Sequence, residues 1–299
     1  MVEKEEEKEI ELTRLIHKYL RHDKKFPTVW CPGCGNGILL SALIRAIDRT
    51  GWDKNEIVMV SGIGCIGRIA TYCDFDTLHT THGRALTFAT GIKLANPELK
   101  VIVVMGDGDA TAIGGNHLIH AARRNIDITA IILNNSIYGM TGGQYSPTTD
   151  YGRKATTAPY GTIEHSFDIS RLVEAAGAPF VARGTVFHAR MLDRLIEKAL
   201  LKRGFGVVEV ISHCHVYYGR LNRMGSAVDM LFYQRDHVVQ VEKAKDKDMT
   251  GKFTIGVLID KELPVYAEEY EHIRKKARGE VEVIEKVEKV AAERPHEEL

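Results

Sequence analysis

The chain has 299 residues, of which 44% are hydrophobic, and its 40 basic residues balance its 40 acidic ones. Because the net charge is zero, the composition gives no electrostatic reason to expect nucleic acid or an anionic membrane as a partner. No apolar run approaches the roughly 18 residues of a membrane span, and the acidic start MVEKEEEKEIE lacks the basic and apolar regions of a signal peptide. We therefore expect a cytoplasmic protein.

The predicted fold class is α/β, with one large domain between charged, helical terminal extensions. Residues 1–25 are a charged arm whose apolar residues recur at a spacing of four. Residues 26–220 are expected to form the main domain, a mostly parallel sheet with helices on both faces. Residues 221–299 are a C-terminal extension with one short strand in GKFTIGVLID and a charged, helix-prone tail. Each charged end either contacts a partner subunit or is simply solvated.

The first cysteines lie in a glycine-rich loop that leads into a helix. The sequence CPGCG contains Cys31 and Cys34 and precedes residues 38–47, whose apolar side chains fall on one helical face. Asn36, between the loop and the helix, could reach a bound cofactor or cap the helix. The backbone N–H groups of such a loop suit an anion or a bound sulfur atom.

A strand predicted over residues 57–61 ends in a second glycine-rich loop, GIGCIGR. The pattern G-x-G-x-x-G invites a dinucleotide site, but the acidic residue expected about twenty positions later is absent, because that region reads HGRAL. Cys65 within the loop is the more informative residue. In HGRAL, His82 can donate to a phosphate oxygen and Gly83 permits close backbone approach, although a purely structural histidine is the alternative.

A βαβ unit is predicted in the middle of the chain. An apolar run at 101–105, a helix near 112–125 and a second apolar run at 128–133 follow one another. Parallel strands joined in this way have their carboxyl ends at the same edge of the sheet. Asp107 and Asn135 are therefore expected side by side, and their oxygen atoms are the ligands that Mg²⁺ prefers.

The spacing of this unit, GDG followed by twenty-five residues and NN, resembles the motif that binds thiamine diphosphate. Carried over by position, Asp107 and Asn135 bind the metal through their side chains and Ile137 through its backbone carbonyl. The alternative is that Asp107 caps a turn and Asn135 opens an ordinary loop. Residues beside the motif are expected to line the cofactor: Gly106, Gly108, Asp109, Tyr138, Gly139, Met140 and Thr141.

Downstream, residues 168–204 are predicted to form two helices that cover the sheet. An apolar run at 207–211 then predicts a strand, followed by Cys214. Cys65 and Cys214 thus each follow a candidate parallel strand, which places them at the edge predicted for the metal. If the C-x-x-C loop closes over that edge, four thiolates meet, enough for an iron–sulfur cluster or a tetrahedral zinc, and ligand spacing alone leaves both open.

Six ordered motifs together resemble the β subunit of 2-oxoacid:ferredoxin oxidoreductases across nearly the whole chain. They are CPGCGNG, SGIGCIGR, HGRA followed by ATG, GDGDATAIGGNHLIHAARRN, NNSIYGMTGGQYSPTT and SHCHVYYGRLN. The resemblance implies a thiamine diphosphate-binding fold in which thiamine diphosphate and Mg²⁺ lie beside a [4Fe–4S] cluster. The cluster ligands that it implies are Cys31, Cys34, Cys65 and Cys214. Further residues expected at the cofactor are Asn36, Cys65, Ile66, Gly67, His82 and Gly83. Cys73 is then left over as a buried thiol.

The activity implied by the resemblance is oxidative decarboxylation of a 2-oxoacid to acyl-CoA and CO₂, or its reverse, with electrons passing through the cluster to ferredoxin. An α subunit is expected to supply the activating glutamate and part of the pocket, in an αβ, (αβ)₂ or larger assembly with additional small subunits. Arg68 is expected to bind the distal carboxylate of 2-oxoglutarate, with a surface ion pair as the alternative.

Other substrates and other classes of protein are alternative hypotheses for the function. The alternative substrates are pyruvate and branched-chain 2-oxoacids, neither of which offers Arg68 a second carboxylate. The alternative classes are a non-redox thiamine decarboxylase subunit, which would have no need of four convergent cysteines, and a non-enzymatic zinc- or iron–sulfur-binding subunit, which would have no need of the GDG-to-NN unit.

Overall fold

A computed structural model describes residues 15–21, 27–245 and 247–280 of the chain. The strands are β1 (Ile57–Ser61), β2 (Asp76–His79), β3 (Lys100–Gly106), β4 (Thr129–Asn134), β5 (Ile137–Tyr138), β6 (Gln144–Tyr145), β7 (Phe180–Thr185), β8 (Gly206–Ile211), β9 (Val238–Gln240) and β10 (Phe253–Asp260). The α-helices are α1 (Asn36–Thr50), α2 (Ile69–Tyr72), α3 (Ala85–Ala95), α4 (Gly115–Arg123), α5 (Ile169–Ala175), α6 (Ala189–Leu201), α7 (Ala227–Asp236) and α8 (Tyr266–Ala277).

Eight of the strands form one sheet in the order β2-β1-β3-β4-β8-β7-β10-β9. Neighbouring strands are parallel from β2 to β7. Within the described part of this sheet, β10 pairs antiparallel with β7 and parallel with β9. β5 and β6 form a separate antiparallel hairpin. The prediction of a mostly parallel α/β sheet is therefore confirmed.

Alternate residues of the central strands face two helical layers, one on each side of the sheet. In β3, Ile102 and Val104 pack into a core that α1 and α6 cover. Val101, Val103 and Met105 pack into the opposite core, which α3, α4 and α5 cover. Because both faces are buried, the five central residues of β3 are all apolar, and this is why they form a continuous hydrophobic run in the sequence.

The prediction of two helices over residues 168–204 is wrong in part, because a strand lies between them. α5 and α6 are present, but β7 separates them, and all six of its residues are buried. Arg183, in the middle of β7, broke the apolar pattern that would have indicated a strand. Its side chain is only 9% exposed and is paired with Glu209 and Asp168, which are remote in sequence.

The end of the N-terminal arm packs onto the main core. Residues 15–19 are helical, and Tyr19 is fully buried with its hydroxyl donating to Asp48. Arg21 donates to the backbone carbonyl of Cys73, which is itself fully buried. The arm is therefore not simply solvated where it is described; residues 1–14 and 22–25 lie outside the described part.

The segment after residue 220 adds α7, β9, β10 and α8, and its two strands extend the main sheet. α8 corresponds to the first part of the predicted charged tail, and residues 281–299 lie outside the described part of the chain. Among the described helices, none combines the length and the apolar character needed to cross a bilayer.

Candidate thiamine diphosphate and cysteine site

Four parallel strands end side by side at the edge of the sheet that carries the predicted site residues. β1, β3, β4 and β8 are neighbours in this order. The loops that follow them carry Cys65, Asp107, Asn135 and Cys214, one residue on each loop. Ligands of open α/β sheets bind outside the carboxyl ends of the strands, so this edge is the candidate functional site.

Asp107 is a buried carboxylate that two hydroxyl groups hold in place. Its Oδ2 accepts hydrogen bonds from Ser146 Oγ at 2.6 Å and Thr148 Oγ1 at 2.5 Å, and the residue is 3% exposed. Burial raises the pKa of Asp107, and the two hydroxyl hydrogen bonds oppose that rise. A carboxylate fixed through one oxygen in this way suits a cation ligand, because its orientation is set before the cation arrives.

The turn after β4 is held in an unusual backbone conformation. Ser136 has a φ of +58°, a region that non-glycine residues rarely adopt. Its N–H donates to Asn134 Oδ1 at 3.2 Å, and its carbonyl accepts from Thr149 Oγ1 at 2.7 Å. Asn135 Oδ1 accepts from the Ile137 N–H at 3.3 Å, which leaves a second lone pair for a metal.

Asp109 ties two of the loops together beneath the site. Its Oδ1 pairs with His82 Nδ1 and accepts from the Gly83 N–H at 2.7 Å. A Cβ at Gly62 would lie 1.6 Å from Asp109 Oδ2, so only glycine fits there. Burial raises the pKa of Asp109, while the Gly83 N–H and His82 oppose that rise. His82 is thus anchored through Nδ1, and its side chain keeps a 37% exposed fraction.

The β5–β6 hairpin contacts the loop that carries Asp107 on one side and the cysteines on the other. The Tyr138 hydroxyl donates to the Gly108 carbonyl at 3.0 Å. Burial raises the pKa of Tyr138 to about 12. A Cβ at the next residue, Gly139, would lie 3.4 Å from Cys65 Sγ and 3.6 Å from Cys214 Sγ. The hairpin therefore covers both of these sulfur atoms. At its tip, Met140 and Thr141 are exposed.

The thiols of the four predicted ligands lie near enough to influence one another. Burial raises the pKa of Cys65 to about 11, with further contributions from the Cys34, Cys214 and Cys31 thiols. Burial also raises the pKa of Cys34, which the Asn36 backbone N–H opposes. Burial raises the pKa of Cys73 to about 12, and no other thiol contributes to that shift.

The spacing of these sulfur atoms bears on the choice between zinc and a cluster. In the described ranges, no group of three or more His, Cys, Asp or Glu side chains is close enough to hold a single metal ion. Zinc and an iron–sulfur cluster therefore both stay open, and the cluster remains a prediction.

Two long-range hydrogen bonds hold the Cys31–Cys34 loop over the sheet edge. The Trp30 indole N–H donates to the Cys65 carbonyl at 2.6 Å. His213 Nε2 lies 2.8 Å from the Gly33 carbonyl, which links the loop to the segment that carries Cys214. The loop thus closes over the edge as the sequence predicted.

Five buried side-chain atoms along these loops have no hydrogen-bond partner among the described residues. They are Asn36 Oδ1 and Nδ2, Asp109 Oδ2, Ser212 Oγ and His215 Nδ1. The helix-capping interpretation of Asn36 is wrong, because its fully buried side chain caps nothing. Buried polar atoms are nearly always paired. The concentration of unpaired polar atoms along one sheet edge fits a polar cofactor bound there. The oxygen atoms of Asp107 and Asn135 fit Mg²⁺, and the four thiols fit a metal centre bound by cysteines.

The other predicted cofactor residues lie on the same loops. Ile66 and Gly67 are buried after Cys65, and a Cβ at Gly67 would lie 2.0 Å from the Gly62 carbonyl oxygen. Gly106 ends β3, with Ile66 as the nearest neighbour of a Cβ built on it. Arg68 is exposed and has no ion-pair partner in the part of the chain that the structure describes, so the surface ion pair is not formed there.

Sequence reasoning missed the residues that orient the predicted ligands. Ser146, Thr148 and Thr149 hold Asp107 and Ser136, although the sequence alone assigns none of them a role. Glu209 lies within the apolar run that predicts β8, and the sequence assigns it no separate role. The available signal was the SPTT sequence after the hairpin, because three hydroxyl residues beside a proline are unusual in a buried segment.

Comparison with known proteins identifies the class of this domain. Residues 62–210 match the family model described as the thiamine pyrophosphate enzyme C-terminal TPP-binding domain. The chain is 48% identical to the 2-oxoglutarate synthase subunit KorB of Methanocaldococcus jannaschii over 266 residues, which is 88% of this chain and 98% of that protein. It is 60% identical to the KorB subunit of Archaeoglobus fulgidus over 196 residues, covering 66% of this chain and 73% of that subunit.

A solved structure agrees with these relatives. The 2-oxoglutarate:ferredoxin oxidoreductase from Magnetococcus marinus, solved with 2-oxoglutarate, coenzyme A and succinyl-CoA bound, matches with a TM-score of 0.79 and 32% identity. The match covers 94% of this chain and 96% of that one. The fold and site therefore define a thiamine diphosphate-binding domain. The chain belongs to the family of 2-oxoacid:ferredoxin oxidoreductase β subunits.

Proposed function

We propose that this chain is the β subunit of a 2-oxoglutarate:ferredoxin oxidoreductase, which holds thiamine diphosphate, Mg²⁺ and a [4Fe–4S] cluster and acts only with an α subunit. The observation that carries the proposal is that the β5–β6 hairpin links the two groups. Ser146, directly after β6, donates to the Asp107 carboxylate, and Gly139, directly after β5, lies against the Cys65 and Cys214 thiols. When bound, thiamine diphosphate accepts the electrons of the breaking carbon–carboxylate bond, and a cluster carries electrons onward one at a time.

Asp107 and Asn135 would hold Mg²⁺, with the Ile137 carbonyl as a third protein ligand. Asp107 supplies the negative charge, and its fixed orientation lowers the entropic cost of binding the ion. His82 would donate to a diphosphate oxygen, and its Nδ1 contact with Asp109 fixes the ring for that purpose. Asn36, whose amide is buried without a partner, would hydrogen-bond to the cofactor.

Cys31, Cys34, Cys65 and Cys214 would hold the cluster. Ligating cysteines bind as thiolates, so cluster assembly must remove the protons that burial retains on Cys34 and Cys65. Cys31 is exposed while the other three ligands are partly buried. The Cys31 side is therefore where an outgoing electron carrier, ferredoxin in this proposal, would come closest to the cluster.

Arg68 would select 2-oxoglutarate. It follows Cys65 by three residues, is exposed, and has no anionic partner among the described side chains. A guanidinium that is free in this way can pair with the distal carboxylate of 2-oxoglutarate, which pyruvate lacks. Hydrogen bonds between charged groups contribute about 1.5–3 kcal/mol, so the pair would change kcat/KM by roughly 10- to 100-fold.

The α subunit would supply the second half of the cofactor site. In the described part of the chain, the sheets are the eight-stranded one and the β5–β6 hairpin. Neither provides a second domain for the aminopyrimidine ring, so the activating glutamate would come from the partner. Coenzyme A would bind in the assembled complex to accept the acyl group.

The test is anaerobic reduction of a viologen dye by this chain co-expressed with its α subunit, in the presence of coenzyme A. We expect the highest kcat/KM with 2-oxoglutarate rather than with pyruvate or 2-oxoisovalerate. The Arg68→Met variant should lose most of that preference while pyruvate activity is unchanged. Arg124→Met is the matched control, because Arg124 is also exposed but follows α4 at the opposite edge of the sheet.

The outcomes separate the parts of the proposal. Equal use of pyruvate would remove the role of Arg68 but leave the enzyme class intact. If iron and acid-labile sulfide analysis finds no cluster in protein purified without oxygen, the non-redox decarboxylase becomes the better assignment. If cluster and thiamine diphosphate are both bound and no 2-oxoacid reduces the dye, the oxidoreductase assignment itself is wrong.

A further inference from the structure

A buried ionic network lies directly behind the turn that carries Asn135, and the chemistry described so far does not use it. Glu209 on β8 is 2% exposed, and Arg183 on the neighbouring strand β7 is 7% exposed. We propose that Glu209 is a positioning residue for the metal site, acting through the side chain of Asn134. This inference rests on the proposed function, because it concerns the same Mg²⁺ site.

Glu209 fixes which way the Asn134 amide points. Glu209 Oε1 accepts a hydrogen bond from Asn134 Nδ2 at 2.9 Å. A carboxylate can only accept, so it binds the NH₂ end of the amide and leaves the oxygen end for the other side. There, Asn134 Oδ1 accepts from the Ser136 N–H at 3.2 Å.

The second Glu209 oxygen is fully engaged away from the turn. Glu209 Oε2 accepts from Ser170 Oγ at 2.6 Å and from Arg183 Nε at 2.8 Å. Arg183 also pairs with Asp168, which caps α5. Burial by itself lowers the pKa of Arg183. The charges and hydrogen bonds of Glu209 and Asp168 have a larger effect, so the pKa of Arg183 is raised. The carboxylate is therefore clamped between a fixed cation and Asn134, so it cannot rotate without breaking a bond.

The clamp reaches the metal ligands through the strained residue between them. Ser136 lies at a φ of +58°, and such a conformation persists only where surrounding contacts impose it. The Asn134–Ser136 hydrogen bond is one of those contacts, and Thr149 Oγ1 on the Ser136 carbonyl is another. Asn135 and Ile137 flank Ser136, so the orientation of the Asn134 amide sets where both would meet the ion.

The test exchanges the carboxylate of Glu209 and the amide of Asn134, which are hydrogen-bonded to each other. In Glu209→Gln, the glutamine oxygen will face Arg183, because a donor there would oppose a cation. Its NH₂ group then opposes the NH₂ group of Asn134, whose amide must flip and abandon Ser136. The double variant Glu209→Gln with Asn134→Asp restores every hydrogen bond, because an aspartate accepts from both the glutamine and the Ser136 N–H. The double variant also has the charge of the wild type.

The measurement is the affinity for Mn²⁺ in the presence of thiamine diphosphate. The EPR signal of free Mn²⁺ reports how much of the ion remains unbound. The protein is the complex of the full chain with its α subunit, first stripped of metal. Changes to groups that orient metal ligands typically reduce metal affinity by 10- to 100-fold, and we expect a loss of about that size in Glu209→Gln. The double variant should recover most of the affinity. Ser170→Ala, which removes a hydrogen bond from the same carboxylate on the far side, should bind Mn²⁺ as the wild type does.

Asn134→Ala provides a second route in case Glu209→Gln does not fold, because it removes the intermediary and leaves the Glu209–Arg183 pair intact. It should lose affinity to a similar extent. Wild-type affinity in Glu209→Gln or in Asn134→Ala, or a double variant no better than Glu209→Gln, would overturn the positioning role. If the wild-type complex itself does not bind Mn²⁺ together with thiamine diphosphate, the metal site of the proposed function fails, and the inference fails with it.

Discussion

Replacing Asp107 by asparagine should weaken the function of this chain and stabilise its metal-free form. The carboxylate is 3% exposed, and burial raises its pKa above the ordinary value of about 3.9. A raised pKa means that this group favours folding below its unfolded pKa, and that this contribution is lost as the pH rises through the folded pKa. Asparagine has nearly the same shape and does not ionise, and its oxygen can still accept from Ser146 and Thr148.

The opposite effect is expected once the ligands are added. Anything that binds only the folded state stabilises it by about 2.7 kcal/mol at one hundred times its dissociation constant. For a chain of this size, each kcal/mol added to the free energy of unfolding raises Tm by roughly 2–4 °C. Ligand binding should therefore raise the Tm of the wild type by about 5–10 °C. The Asp107→Asn variant loses the charged metal ligand and should gain almost nothing.

The assay is thermal unfolding of the complex with the α subunit, with and without Mg²⁺ and thiamine diphosphate, at pH values from 5 to 8. The metal-free variant should equal or exceed the wild type, because its margin grows as the pH rises from the unfolded pKa of about 3.9 to the raised folded pKa of Asp107. A variant that keeps the full ligand-induced shift would refute the metal assignment. A metal-free variant clearly less stable than the wild type at the upper end of that range would refute the argument from burial.

Two glycine substitutions test other parts of the molecule. Gly139→Ala should fold normally, since its Cβ would make only ordinary contacts of 3.4 and 3.6 Å with Cys65 and Cys214 Sγ, yet it should lower the iron content because the methyl group faces both ligands. Gly37→Ala, with open space around its Cβ, is the control and should leave the iron content unchanged. Gly91→Ala, exposed in α3 with no atom within 4 Å, should raise stability by about 0.5–1 kcal/mol in thermal unfolding.

The strands that position the site could be predicted because their information is local. β1, β3, β4 and β8 are buried on both faces, so each is a short, mostly apolar run that one sequence window reveals, even though Glu209 interrupts β8. The crossover geometry then requires their carboxyl ends to share an edge. For that reason Asp107 and Asn135 could be placed together before any tertiary contact was known.

β7 could not be predicted in this way, because the residue that conceals it depends on distant partners. Arg183 is compatible with a buried strand only where Glu209 and Asp168 neutralise it. Glu209 lies 26 residues away from Arg183 in sequence, and no local pattern specifies that pairing. With Arg183 and Gly184 inside it, β7 has an apolar run of only three residues, which is too short to indicate a strand.

The sequence by itself determined the fold class, the sheet edge that carries the site, and the residue types that meet there, because periodicity and strand ends are local properties. Only the tertiary structure decided how those residues are held. The Ser146 and Thr148 hydroxyl groups on Asp107 come from 39 and 41 residues away, and the Asn134–Glu209 bond spans 75. Such contacts follow from how the loops pack once the sheet exists, and the physical reason is that a hydrogen bond depends on distance in space and not on separation along the chain.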